Sequence, residues 1–313
     1  MILDNEFGAR PERHPVINLI VLILMVGLGF VILGPIIGFL LALPFYDGGF
    51  VKLAEAIQQP LENPDIKIPL YIIQGSATFV GLIAAPTIFL VSRHRSVGDF
   101  FEKKGISIVP VLVTVFLVII FMAVNSIFIE WNAHVNFPDF LGEFERWARE
   151  REDAAAELTK SLTHFASAGE LLLALVVIAI LPAFGEELVF RGLVQTELHR
   201  ATKNIHVSIW FAAFLFSAIH FQFFGFVPRL LLGALFGYLY YWSGSLVLAI
   251  IAHFVNNAVP VIALYLYQRG TVTFDVESEE AAPLNVVVMS ALLTVGLLYY
   301  FYKYYQDRKT ALY

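Results

Sequence analysis

Residues 230–268 read LLLGALFGYLYYWSGSLVLAIIAHFVNNAVPVIALYLYQ and contain no Asp, Glu, Lys or Arg. A helix of about 20 apolar residues crosses the ~30 Å hydrocarbon core of a bilayer. This stretch is too long for one crossing, and Trp242-Ser243-Gly244-Ser245 divides it by turn chemistry into two. Working outward, further stretches free of charged residues run from about Val16 to Phe45, Ile68 to Val91, Ile106 to Ile129, Ile205 to Phe221 and Leu284 to Tyr302. Another begins near Gly169, is apolar to Phe184, and continues through Glu186, Glu187 and Arg191. About eight spans are expected, in an all-α polytopic integral membrane helical bundle.

The composition agrees. The chain of 313 residues is 58% hydrophobic and 15% charged, against about 25% charged in soluble domains, and its mean hydropathy is +0.75. That excludes an ordinary soluble globule, a disordered chain and a fibrous protein. Cysteine is absent, which excludes thiolate catalysis, disulfides and Cys-ligated zinc. The net charge of -6 and the lack of a basic run give no footprint for nucleic acid. The partner that composition implies is the lipid bilayer.

The first apolar stretch is too long for a signal-peptide core and follows a leader of mixed charge, so it reads as a retained span. Gly34, Pro35 and Gly38 mark it for a tilt or kink. Between spans, residues 50–67 hold a short amphipathic piece. In residues 140–162, Phe144, Trp147 and Leu158 share one helix face opposite charged residues, as in an interfacial helix or a soluble connector. Placing the N-terminus in the cytoplasm puts 12 of the 20 Lys and Arg inside, among them Arg10, Lys103, Lys104 and Arg191. A multi-pass cell-membrane protein with cytoplasmic termini is therefore expected, of the inner membrane if the source is bacterial. Residues 1–313 read as one membrane domain: 1–165 with the first three spans and the long loop, 169–267 with the polar motifs, and 284–313 with the last span and tail.

Ionisable side chains at membrane depth cost at least a few kcal/mol and often mark function. Here they gather in the second half: Glu186, Glu187, Arg191, His220 and His253, with Asn257 following His253 by four residues. Glu187 and Arg191 are i,i+4 in the acid-first order that favours an ion pair. Glu186 is rotated about 100° from Glu187 and does not share that partner. If the fourth and fifth spans form a hairpin near Lys203, Glu186 and His220 lie equally far from it and face each other. His253 and Asn257 share one helix face; Asn256 is expected off that face. A buried Glu beside His suits a general base for water. The remaining histidines read as surface or interfacial residues. Phe216, one turn before His220, reads as packing beneath it. Gly233 and Gly237 read as a site of close helix approach, and the tyrosines between Tyr299 and Tyr305 as an interfacial belt.

Three motifs follow in order on separate hydrophobic helices. Glu186-Glu187-Leu188-Val189-Phe190-Arg191 matches EExxxR, Phe216-Ser217-Ala218-Ile219-His220 matches FxxxH, and His253-Phe254-Val255-Asn256-Asn257 matches HxxxN. Over residues 169–267 the chain resembles the intramembrane CAAX-protease and bacteriocin-processing (CPBP, or Abi) family, which includes type II CAAX prenyl proteases. The resemblance implies peptide-bond hydrolysis of a peptide or protein substrate at the membrane, with Glu186 and His220 activating water and His253 and Asn257 stabilising the oxyanion. Glu187 and Arg191 would be structural, or Arg191 would orient substrate. No cofactor is required on that reading. The alternative is a zinc enzyme with Glu186, His220 and His253 as ligands. From other classes the alternatives are an ion-coupled transporter with a buried proton relay, or a non-catalytic immunity scaffold. A transporter would show inverted repeats in matching halves, whereas these polar groups occupy only the second half.

Overall fold

The computed structural model describes residues 13–101, 107–273, 278 and 280–310. Arg10, Lys103 and Lys104, used above to orient the chain, lie outside them. Among the described residues there is no strand, and seven helical runs are long and apolar enough to cross a membrane. These are α1 (Pro15–Phe45), α3 (Pro64–Val91), α4 (Ile108–Ala133), α6 (Ala168–Thr202), α8 (Phe223–Ser243), α9 (Leu246–Gln268) and α10 (Leu284–Arg308). Two amphipathic helices lie in the loops, α2 (Gly49–Gln58) and α5 (Gly142–Thr163). An eighth apolar helix, α7 (Ile205–Ala218), has 14 residues. The protein is an all-α polytopic membrane bundle.

Helix α7 departs from the sequence expectation of a full span from Ile205 to Phe221. Fourteen residues reach only about 21 Å. Its end is set locally: the His220 ring takes the Phe216 carbonyl through Nδ1 at 2.7 Å, and Phe221 turns the chain with φ at 53°. The hairpin near Lys203 is present. Lys203 is left-handed at the end of α6, and the Asn204 side chain accepts from the His206 and Val207 amides to start α7.

Close approach of α7 and α8 rests on two glycines. A Cβ on Gly233 would stand 3.0 Å from Ala213 Cβ, and one on Gly237 would stand 2.9 Å from Ile209 Cγ2. Helices α1 and α3 meet in the same way, with Gly34 and Gly38 against the backbone of Ala77 and Ile73. Three crossing helices contain widened, π-type turns: Leu28–Leu33, Phe79–Ala84 and Leu175–Ile180. Each is followed two residues later by a proline, Pro35, Pro86 or Pro182. Proline has no N–H to donate, so the regular ladder is re-registered there.

Polar contacts fasten both ends of the bundle. At one end Asn18 donates to Glu197 at 3.1 Å. At the other, Lys67 pairs with Glu170 at 2.7 Å. There Asn132 also donates to the Phe223 carbonyl at 2.9 Å and accepts from the Val227 amide at 2.7 Å. Helix α5 packs onto the first turn of α8: Phe144 meets Phe223 at 4.9 Å between ring centroids, and the Arg149 guanidinium lies 4.2 Å over Phe224. Arg191 is buried mid-bundle, so it is not a loop cation and carries no weight in the inside count.

Candidate active site

Helix α6 contributes two adjacent carboxylates with different surroundings. Glu187 and Arg191 have side chains 0% and 1% exposed and pair at 2.7 Å. A second Arg191 nitrogen donates to the Gly233 carbonyl at 3.0 Å. The guanidinium lies 4.6 Å from the centroid of Phe216 and 5.5 Å from that of Phe236. A buried guanidinium needs this many partners, because an unpaired one is costly. The i,i+4 pair inferred from the sequence is therefore present, and it sits beneath the cavity described below rather than lining it.

The oxygen of Glu187 that accepts from Arg191 also lies 2.7 Å from His253 Nδ1. A carboxylate can only accept, so Nδ1 carries the proton and Nε2 points away from Glu187. Glu186 Oε2 is 3.8 Å from that Nε2. The two carboxylates thus bracket one imidazole. Glu187 also joins the EExxxR motif of α6 to the HxxxN motif of α9, a link that spacing along the sequence does not reveal.

His220 stands in the turn after α7, not on a transmembrane helix. Its Nδ1 faces the Phe216 carbonyl at 2.7 Å, and a carbonyl accepts only, so Nδ1 holds the proton and Nε2 the lone pair. Phe216 meets both histidine rings edge-on, at 5.2 Å from His220 and 5.9 Å from His253. This is the packing role read from the sequence.

Glu186, His220, His253 and Asn257 all line one cavity of about 510 Å³. Glu187 and Arg191 do not line it. Four polar lining residues escaped the sequence reading: Asn125, Asn256, Arg229 and Glu152. Asn256 follows His253 by three residues, and i,i+3 neighbours on a helix share a face, so its placement off that face is corrected here. Arg229 immediately precedes the charge-free stretch 230–268, a position that reads as no more than its flank. Glu152 was one of many charges on the polar side of an amphipathic helix, with no signal to single it out. In the structure Gln222 links these two, donating to Glu152 at 3.3 Å and accepting from Arg229 at 3.2 Å.

The zinc alternative was tested on the donor set. Among the described residues no group of three or more His, Asp or Glu is arranged to hold a metal ion. Glu186 Oε2 and His253 Nε2 approach to 3.8 Å, but among the described residues no third side chain completes a metal-holding group with them. As arranged, these residues do not form a zinc centre.

A multi-pass helical bundle with carboxylates, imidazoles and carboxamides converging on one cavity is thus the class the fold and site define. Residues 168–259 match the family model described as Type II CAAX prenyl endopeptidase Rce1-like, and that segment contains all three motifs. The chain is also similar to the Uncharacterized protein YpbD of Bacillus subtilis (strain 168), with 33% identity over 89 residues. That alignment covers 27% of this chain and 42% of the relative, so the chain spans less than half the length of the curated relative it matches. No solved structure matches the chain.

Proposed function

We propose that the protein is an intramembrane endopeptidase acting on a membrane-associated peptide or protein. The single observation that carries this reading is the convergence of Glu186, His220, His253 and Asn257 on one cavity inside an apolar bundle. The family match over residues 168–259 supports the same class of reaction.

On this reading a water sits between the Glu186 carboxylate and His220 Nε2. Both are acceptors, and a water has two protons to offer. Attack on the substrate carbonyl carbon transfers a proton to Glu186, which later delivers it to the leaving amine as the C–N bond breaks. The developing oxyanion is met by His253 Nε2 and the Asn257 carboxamide. To donate from Nε2, His253 must carry a second proton, and Glu187 and Glu186 flank the resulting charge. Glu187 and Arg191 hold the imidazole in place and do not touch substrate. Residues 169–267 form the catalytic core on this reading, and the remaining spans complete the bundle.

The test compares wild-type protein with Glu186→Gln in membranes at matched expression, mapping new peptide termini by mass spectrometry. Termini present only with the wild type support the reading and define the cleavage sequence. Identical termini with both proteins folded overturn it and favour a transporter or scaffold.

A further inference from the structure

The HxxxN motif draws attention to Asn257, but the hydrogen bonds of this region give its neighbour the more accessible role. Asn257 Nδ2 donates to the Ile178 carbonyl at 3.2 Å. In an α-helix that carbonyl would take the N–H four residues on, which is position 182. Residue 182 is a proline and has none. Asn257 therefore donates to a backbone acceptor whose α-helical partner Pro182 cannot supply, beside the widened turn Leu175–Ile180 of α6.

This contact fixes the orientation of both carboxamides. A backbone carbonyl can only accept, so Asn257 must turn its NH₂ toward Ile178. Its Oδ1 then faces the other way and accepts from Asn256 Nδ2 at 3.1 Å. The order is Ile178 carbonyl, Asn257, Asn256, each link setting the next. One Asn256 N–H is used in this chain and a second remains, on a side chain that lines the same cavity as Glu186 and His220.

We propose that Asn256 is a second catalytic carboxamide donor, which binds the reacting carbonyl oxygen of the substrate, while Asn257 is in large part the positioning residue that aims it. The inference rests on the endopeptidase reading above. It gives the site an extra oxyanion donor whose direction is set before substrate arrives, the condition under which such donors act.

The experiment uses full-length protein in membranes and a peptide spanning the cleavage sequence found by terminus mapping. Wild type, Glu186→Gln, Asn256→Ala, Asn256→Asp, Asn256→Gln and Asn257→Ala are compared for kcat, KM and thermal unfolding. Asn256→Ala and Asn256→Asp are expected to lower kcat by about tenfold to a thousandfold, the range for losing one oxyanion donor, with little change in KM or melting temperature. Asn256→Gln, which keeps an N–H, should recover part of the loss. Asn257→Ala should lower both kcat and melting temperature, because Ile178 and Asn256 both lose their bond to this side chain. Wild-type kcat in Asn256→Ala and Asn256→Asp, with Glu186→Gln inactive, overturns the Asn256 assignment and leaves the endopeptidase reading standing. A melting temperature lowered as much by Asn256→Asp as by Asn257→Ala overturns it in favour of a structural role. If wild type and Glu186→Gln yield the same termini, the endopeptidase reading itself fails and this inference falls with it.

Discussion

Glu187 Oε1 stands 2.7 Å from His253 Nδ1 and, at the same time, 2.7 Å from an Arg191 guanidinium nitrogen. One buried oxygen thereby joins two helices and sets which nitrogen of His253 is turned toward the cavity. The arrangement makes the ion pair inseparable from the site, although neither Glu187 nor Arg191 lines it.

Removing the cation should show this dependence. Arg191→Met is expected to destabilise the fold by about 3–5 kcal/mol, the range for breaking a buried pair and leaving one charge uncompensated. Thermal unfolding in detergent would read the loss. Arg191→Met/Glu187→Met, which removes both charges, should recover much of the stability but not the cleavage activity, since His253 loses its Nδ1 partner. Recovery of both would show that the orientation of His253 is unimportant.

Metal removal is the second expectation. Because Glu186, His220 and His253 are not arranged to hold an ion, incubation with a strong zinc chelator should leave the appearance of new peptide termini unchanged. Loss of cleavage that returns on adding zinc would restore the metal-dependent alternative.

The glycine seam of α7 and α8 gives a stability prediction. Gly237→Leu places side-chain atoms where a Cβ alone would meet Ile209 at 2.9 Å and Gln195 at 2.8 Å. Overpacking of this kind costs about 1–3 kcal/mol. The hairpin that presents His220 should shift as well, so both melting temperature and turnover should fall. Gly296→Leu on α10, where nothing lies within 4 Å of an added Cβ, should leave both unchanged and serves as the control.

A pH effect is expected at the attachment of α5. The Arg149 side chain, bonded to Glu145, and the Phe137 amide hold the Glu145 carboxyl below its usual value of 4.5. A folded-state value lower than the unfolded one stabilises above the unfolded value and is lost as pH falls through the folded one. The protection of residues 137–149 against hydrogen exchange, relative to the intrinsic rate at each pH, should therefore hold at neutral pH and fall below about pH 4.5. Glu145→Gln should remove that pH dependence; if exchange in the variant keeps the same profile, another group is responsible.

The membrane architecture was legible because hydrophobic length and the absence of charge are local properties, and both can be read along the chain. The Glu187–Arg191 pair was legible because helical spacing alone brings i and i+4 together. The bond between Glu187 and His253 was not, since it depends on the rotation of α6 against α9. The early end of α7 was missed because Ile219 and Phe221 are apolar and read as continuing helix, whereas His220 and a left-handed Phe221 stop it. Asn256 was set aside because the i,i+4 relation of His253 and Asn257 was taken to define the face, although an i,i+3 neighbour shares it. Arg229 and Glu152 carry no sequence signal of their own, because the cavity that unites them comes from tertiary packing.

The short α7 has one further consequence. A 14-residue helix falls about 9 Å short of the hydrocarbon thickness, and a bilayer meets such a deficit by thinning. His220 stands at the point where the helix gives out. A hydrolase consumes one water per turnover, and a sealed apolar bundle would starve it. On the endopeptidase reading proposed above, the early end of α7 is where solvent would enter, and the length of that helix would set how readily the site is hydrated.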